Sequence, residues 1–195
     1  MAVNAATVKE LREMTGIGMM KCKEALEATG GDLEKAVEYL RKQGLKTAER
    51  RAGRETSEGC IASYIHSNGK IGVLVELRCE TDFVARNEEF RQLARDLCMQ
   101  VAATKPIAVS RDQVPPEVLA KEREIYAEQV KDKPPQAVEK IVAGKLDAYF
   151  KDHCLLDQPF VKDPKTSVGD HVKALVAKLG ENITVARFVR YQLGD

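Results

Sequence analysis

The sequence predicts an α+β fold: an N-terminal three-helix module, then a core with a small three-stranded antiparallel sheet and surrounding helices. Three observations carry that expectation. The first 44 residues place apolar side chains at helical spacing in three segments punctuated by glycine. The period then changes to two around Ser67-Asn68-Gly69-Lys70, with Ile71, Val73, Val75, Leu77 and Cys79 alternating along one face. The order of helices, hairpin, helices and strand lacks the βαβ alternation of a parallel sheet.

Each element follows from local chemistry. Asn4 can cap a first helix that carries Val8 and Leu11 and ends at Gly16. A second, about Gly18 to Thr29, brings Met19, Cys22, Ala25 and Leu26 together and stops at Gly30-Gly31. Asp32 caps a third, which aligns Leu33, Ala36, Val37 and Leu40 before Gly44. The module is therefore assigned to residues 1–44, a basic linker to 45–54 and the α+β core to 55–195. Residues 41–54 carry six basic side chains against Glu49 alone. Such a run either solvates a connector between modules or meets nucleic acid or an acidic protein face.

In the core, Cys60 to His66 and Ile71 to Cys79 read as a hairpin, and Asn68-Gly69 suits the positive φ values of a type I′ turn. Asn87 is a cap for a helix whose buried stripe is Phe90, Leu93, Ala94, Leu97, Cys98 and Val101, with Glu88 and Glu89 at the positive end of its dipole. A loop from Lys105-Pro106 to Pro115-Pro116 follows. Helices at roughly 116–130 and 135–151 each start with proline, and Val138, Ile141, Val142, Leu146 and Tyr149 stripe the second. A loop through Pro159 and Pro164 leads to Ser167, which caps a helix at 168–179 ended by Gly180. Ile183 to Leu193 reads as the third strand, with Ile183, Val185, Val189, Tyr191 and Leu193 on one parity, interrupted by Arg187. Three strands leave one sheet face open, and Phe188 on that face would call for a partner subunit.

Composition excludes several classes of function. The 195 residues hold 31 Lys+Arg against 30 Asp+Glu, so a protein that works by coating phosphate backbones is not expected. Five Phe, five Tyr and no Trp leave little for a base-stacking platform. No apolar run nears the ~18 residues of a membrane span, and the N-terminus lacks the pattern of a targeting segment. Five cysteines without CxxC spacing fit a reducing cytoplasm, four of them as small buried hydrophobes. Gly16-Ile17-Gly18 follows no strand and precedes no Lys-Ser/Thr, so it is a helix break and not a phosphate cradle. His153-Cys154 lacks the further ligands that zinc needs, and Cys60 and His66 are too far apart on one strand to form a nucleophile pair. No metal or cofactor is expected; 30 carboxylates leave acid–base chemistry open although no pair stands out, and a metal or thiol enzyme stays as a third reading.

One segment departs from the core pattern: Glu80-Thr81-Asp82-Phe83-Val84-Ala85-Arg86-Asn87. On one continuous helix Phe83, seven residues before Phe90, would join the buried stripe. If Asn87 instead restarts the helix, Thr81 or Asp82 caps a separate turn and Phe83 stands at a corner beside an acid. An aromatic held out on a rigid turn is the anatomy of a protein–protein hot spot.

Thr81-Asp82-Phe83-Val84-Ala85-Arg86-Asn87 resembles the signature of the elongation factor Ts family, nucleotide exchange factors of the GTPase elongation factor Tu. Leu11-Arg12-Glu13-Met14-Thr15-Gly16-Ile17-Gly18-Met19-Met20, followed by Lys23-Glu24-Ala25-Leu26, is similar to the family's N-terminal signature. Gln158-Pro159-Phe160-Val161 and Arg187-Phe188-Val189-Arg190-Tyr191 resemble its C-terminal core. The resemblance implies a short-form member, with a ubiquitin-associated-like first module and a homodimer joined through its sheets. It implies binding to elongation factor Tu in the cytoplasm, with Thr81, Asp82, Phe83 and Val84 as the wedge that disturbs the partner's Mg²⁺ site. Arg12, Met19 and Met20 would make a second contact, although the two methionines could equally pack inside their own bundle. A helical adaptor acting through residues 1–44 is the rival reading, and it leaves the core without a task.

Overall fold

The computed structural model describes residues 3–194. Their backbone gives eight α-helices, a three-stranded antiparallel sheet and a two-stranded ribbon, the α+β class expected. The chain divides into two compact units. One comprises residues up to Cys60 with Arg78–Arg91 and Val172–Thr184; the other comprises Ile61–Leu77, Gln92–His171 and Val185 onward. No helix among the described residues is long and apolar enough to cross a membrane.

The first unit opens with α1 (Ala5–Thr15), α2 (Met19–Ala28) and α3 (Leu33–Arg51). Asn4 caps α1 through Ala6 N–H, and Gly16 ends it in the left-handed region at φ 66°. Asp32 caps α3 by accepting from Lys35 N–H. Val8, Leu11, Cys22, Ala25, Leu26, Ala36 and Leu40 form one buried cluster. Met19 does not join it: it is 47% exposed at the first position of α2.

The third helix overruns its expected end. It passes through Gly44 and continues to Arg51, so most of the basic run is helical. Gly44 is buried, and a Cβ there would stand 3.0 Å from the Ala177 Cβ of α8 (Val168–Leu179). This glycine permits close helix approach and does not terminate a helix.

In the second unit, β1 (Glu58–Ile65) and β2 (Ile71–Cys79) form the hairpin, although each strand has one end in the first unit. The sheet order is β1-β2-β5, with β5 spanning Ile183–Gln192. Val73, Val75, Leu77 and Cys79 are buried as the alternation required. The turn differs from type I′. Ser67 to Lys70 form a four-residue loop in which Gly69 alone has positive φ, and Asn68 Oδ1 accepts from Lys70 N–H. His66 and Ile71 are paired by His66 N–H donating to Ile71 O, which leaves four residues to turn where type I′ uses two.

The strand β5 changes phase midway. Ile183 and Val185 are buried, yet Arg187, Val189 and Tyr191 of the same parity are exposed. Arg187 Nε donates to Glu76 at 2.6 Å on the outer side of β2. The open face therefore presents Val189 and Tyr191, while Phe188 is half-buried on the other parity, contrary to expectation. Ile61, Ile65, Leu74 and Leu193 are further exposed apolar residues of the same unit.

Between the strands, α5 (Glu88–Thr104) buries Phe90, Leu93, Ala94, Leu97, Cys98 and Val101, as predicted. The helices α6 (Pro116–Glu128) and α7 (Pro135–His153) pack on each other, and only Leu146 of the expected α7 stripe is fully buried. The loop expected through Pro159 and Pro164 is a ribbon. There, β3 (Pro159–Phe160) pairs antiparallel with β4 (Asp163–Ser167). Gln158 and Gln100 anchor that ribbon: Gln100 Nε2 donates to Pro159 O and Gln100 Oε1 accepts from Val161 N–H.

Four of the five cysteines are buried and Cys60 is half-buried. Burial pushes the Cys79 and Cys154 thiols up to about 11. A native-state titration with a disulfide reagent at pH 8 should therefore modify one thiol rapidly and the other four only after denaturation.

Candidate functional site

The first unit contains the segment that stood out in the sequence. A four-residue helix, α4 (Asp82–Ala85), occupies the corner between β2 and α5. Thr81 is its N-cap, with extended backbone and its hydroxyl accepting from Val84 N–H at 3.5 Å. Asn87 restarts the chain as a helix: its Oδ1 accepts from Glu89 N–H at 2.8 Å, the N-cap of α5. The break separates Phe83 from the buried stripe. Phe83 is 81% exposed while Phe90 is fully buried, so the corner arrangement is the one adopted.

The neighbours of Phe83 divide by role. Ala85 is buried and roots the turn. Asp82, half-buried, pairs with the exposed Arg86 at 2.9 Å, a weak surface pair that a partner can replace. Val84 is half-buried. Thr81 faces inward and spends every polar group within the unit. Its hydroxyl donates to Glu181 Oε1 at 2.6 Å and its N–H donates to Glu181 Oε2 at 3.0 Å. Its carbonyl accepts from Ala85 N–H and from the Cys79 thiol.

Glu80 makes the reciprocal contact. Its carboxylate accepts from Asn182 N–H at 2.6 Å and from Arg54 at 3.3 Å, with Arg51 at 3.7 Å. The buried Asn182 in turn donates to Arg54 O at 2.8 Å. The Asn182 backbone N–H, then the two guanidiniums, hold the Glu80 carboxyl below the usual carboxylate range. Its folded-state affinity for a proton is thus lower than the unfolded one. The stability it contributes is complete above the unfolded value near ~4.3 and is lost as pH falls through the folded value. Relative to its own neutral-pH stability, the wild type should therefore lose more on acidification from pH 5 to 3 than Glu80→Gln does; equal losses in the two proteins would contradict this.

The N-terminal candidates lie in the same unit. Arg12, Met19 and Met20 are all exposed, Met20 at 69%. Met14 is also exposed, at 63%, on the same helix–loop–helix segment. Gly16 N–H donates to Arg12 O at 2.7 Å, closing α1. The Lys178 side chain lies where a Gly16 Cβ would be and reaches Glu89 at 2.6 Å. The left-handed φ of 66° is what favours glycine there, since the end of a lysine side chain can swing aside.

Sequence reasoning missed Glu80, Glu181 and Asn182. Glu181 is 100 residues from Thr81, and no local pattern marks that pairing. Among the described residues no group of three or more His, Cys, Asp or Glu converges as metal ligands would. His153 offers its carbonyl to Ile107 N–H, and its ring lies tilted against Tyr149 with centroids 4.3 Å apart.

Comparison with known proteins is consistent across the chain. The family model described as "Elongation factor TS" matches residues 4–195. The elongation factor Ts of Thermodesulfovibrio yellowstonii is 59% identical over 196 residues, covering 100% of this chain and 98% of that protein. That of Thermotoga petrophila is 56% identical over 195 residues, with 100% and 98% covered. That of Fervidobacterium nodosum is 54% identical over 197 residues, covering both chains completely.

Proposed function

The chain belongs to the elongation factor Ts family, and from that premise we propose that it is a guanine-nucleotide exchange factor acting on elongation factor Tu in the cytoplasm. The observation that carries the proposal is Phe83, 81% exposed on a turn whose base is hydrogen-bonded throughout. A free aromatic of this kind forfeits roughly 1.5–3 kcal/mol of burial in the isolated protein. That free energy becomes available when a partner encloses the ring.

In this reading Phe83 enters between helices of the GTPase beside its nucleotide site. Asp82 and Val84 seat the turn, Thr81 aims it, and the displacement loosens the Mg²⁺ and β-phosphate contacts of bound GDP. No bond is made or broken. The exchange factor binds the nucleotide-free GTPase more tightly than the GDP form, so by linkage GDP and the exchange factor weaken each other by the same factor. The exposed Arg12, Met19 and Met20 make the second contact. Two contacts carried by one compact unit raise affinity through effective concentration.

The exposed Ile61, Ile65, Leu74, Val189 and Tyr191 support a homodimer formed through the open face of the sheet. Neither nucleic acid nor membrane has a part in this scheme.

Calorimetry tests the coupling. Affinity for nucleotide-free elongation factor Tu should exceed that for the GDP-loaded form by more than tenfold, and GDP affinity should fall by the same ratio in the complex. Equal affinities for the two forms would overturn the exchange role.

A further inference from the structure

A single helical turn has no intrinsic persistence. Closing the first turn of helix is unfavourable, and α4 ends before propagation can offset that. Its cap is also long, with Val84 N–H 3.5 Å from the Thr81 hydroxyl. The direction of Phe83 must therefore be set by contacts outside residues 82–85.

Those contacts converge on one carboxylate. Gly180, at φ 78°, ends α8 and turns the chain, so that Glu181 and Asn182 meet Glu80 and Thr81. The two pairs exchange bonds: Glu80 accepts from the Asn182 backbone, and Glu181 accepts from the Thr81 backbone and hydroxyl. With its hydrogen directed to Glu181, the Thr81 hydroxyl turns a lone pair toward Val84 N–H, the cap of the turn. Charge-assisted bonds at 2.6 and 3.0 Å are the strong members of this set.

We propose that Glu181 is a positioning residue for nucleotide exchange: its carboxylate clamps Thr81 at two points and so holds Phe83 in the orientation that enters the partner. The proposal rests on the exchange reading above and deepens it. Glu181 itself does not touch the partner in this scheme. Without the clamp the turn spends only a fraction of its time in the competent pose, and the rate of opening inside the complex falls by that fraction. Binding through the N-terminal module is retained.

The test compares wild type, Glu181→Gln, Thr81→Val and the double variant as full-length chains. Each is titrated against elongation factor Tu loaded with fluorescent GDP, with Phe83→Ala in parallel and melting temperatures recorded. Glutamine keeps the shape of the side chain but offers one acceptor oxygen for two Thr81 donors. Glu181→Gln should lower the maximal release rate about tenfold, with the half-saturating concentration within about threefold of wild type. The double variant should fall short of the product of the two single losses, because the Thr81 hydroxyl bond to Glu181 is disturbed in both.

A wild-type maximal rate for Glu181→Gln would overturn the proposal, as would multiplicative losses in the double variant. So would a loss confined to the half-saturating concentration, or one that vanishes below the variant's melting transition. Should Glu181→Gln fail to fold, amide exchange on the wild-type chain decides: Thr81 N–H should be protected, and exchange at a free-loop rate would overturn the clamp. If Phe83→Ala releases GDP like wild type, the wedge reading fails. If Phe83→Ala is defective and Glu181→Gln is not, the positioning role alone fails.

Discussion

Phe83→Ala should reduce the maximal rate of stimulated GDP release from elongation factor Tu by roughly 10- to 100-fold, the equivalent of ~1.5–3 kcal/mol of aromatic burial at 1.4 kcal/mol per tenfold. The same substitution should leave the melting temperature almost unmoved. Phe83 touches water over 81% of its surface, and exposed substitutions of this kind change stability by about 0.5 kcal/mol or less. That dissociation of function from stability is the signature of an outward-facing anchor. Phe90→Ala, seven residues on and fully buried, should show the reverse, with a stability loss of ~3–5 kcal/mol. If Phe83→Ala instead unfolded the chain, the ring would be serving the core.

Tyr191→Glu should carry the second large effect, on subunit number. Tyr191 is 71% exposed on the open sheet face, in the unit that also exposes Ile61, Ile65 and Leu74. Two such faces pressed together would bury the apolar residues of both. A carboxylate there would have to be desolvated without a partner, an effect of ~3–5 kcal/mol in buried interfaces. Light scattering should give twice the 21.6 kDa chain mass for wild type and the single mass for Tyr191→Glu at micromolar concentration. A monomeric wild type would remove the sheet face from the account without touching the wedge.

Much of this arrangement was legible in the chain because it is set by local chemistry. Caps at Asn4, Asp32 and Asn87 and the alternation through Val73, Val75 and Leu77 depend on neighbours a few residues away. The choice between a buried and a projecting Phe83 turned on Asn87, whose side chain caps α5 and so prevents a continuous helix. What could not be read depends on distant residues. Gly44 resembles a helix stop until Ala177 is seen against it. The phase change in β5 moves Val189 and Tyr191 outward, and Phe188 follows the other parity. Residues 159–167 form a ribbon because Gln100, in a helix nearly 60 residues earlier, anchors Pro159 and Val161. The Glu80–Asn182 and Glu181–Thr81 exchange joins residues a hundred positions apart, with no periodic trace in either segment.

In the proposed scheme the clamp and the wedge give so short a helix a purpose. Four residues cannot hold a direction by their own hydrogen bonds, yet a turn built this way keeps the ring clear of the core. Rigid support beneath a single exposed anchor lowers the ordering cost on binding. The candidate contacts at Arg12, Met19 and Met20 belong to the same compact unit, so both surfaces are presented together.

The most direct test of the exchange role is the rate of fluorescent GDP release from elongation factor Tu as wild-type protein is added in excess of unlabelled nucleotide. The rate should climb with concentration to a plateau far above the spontaneous value. A rate that stays at the spontaneous value at saturating protein would contradict it.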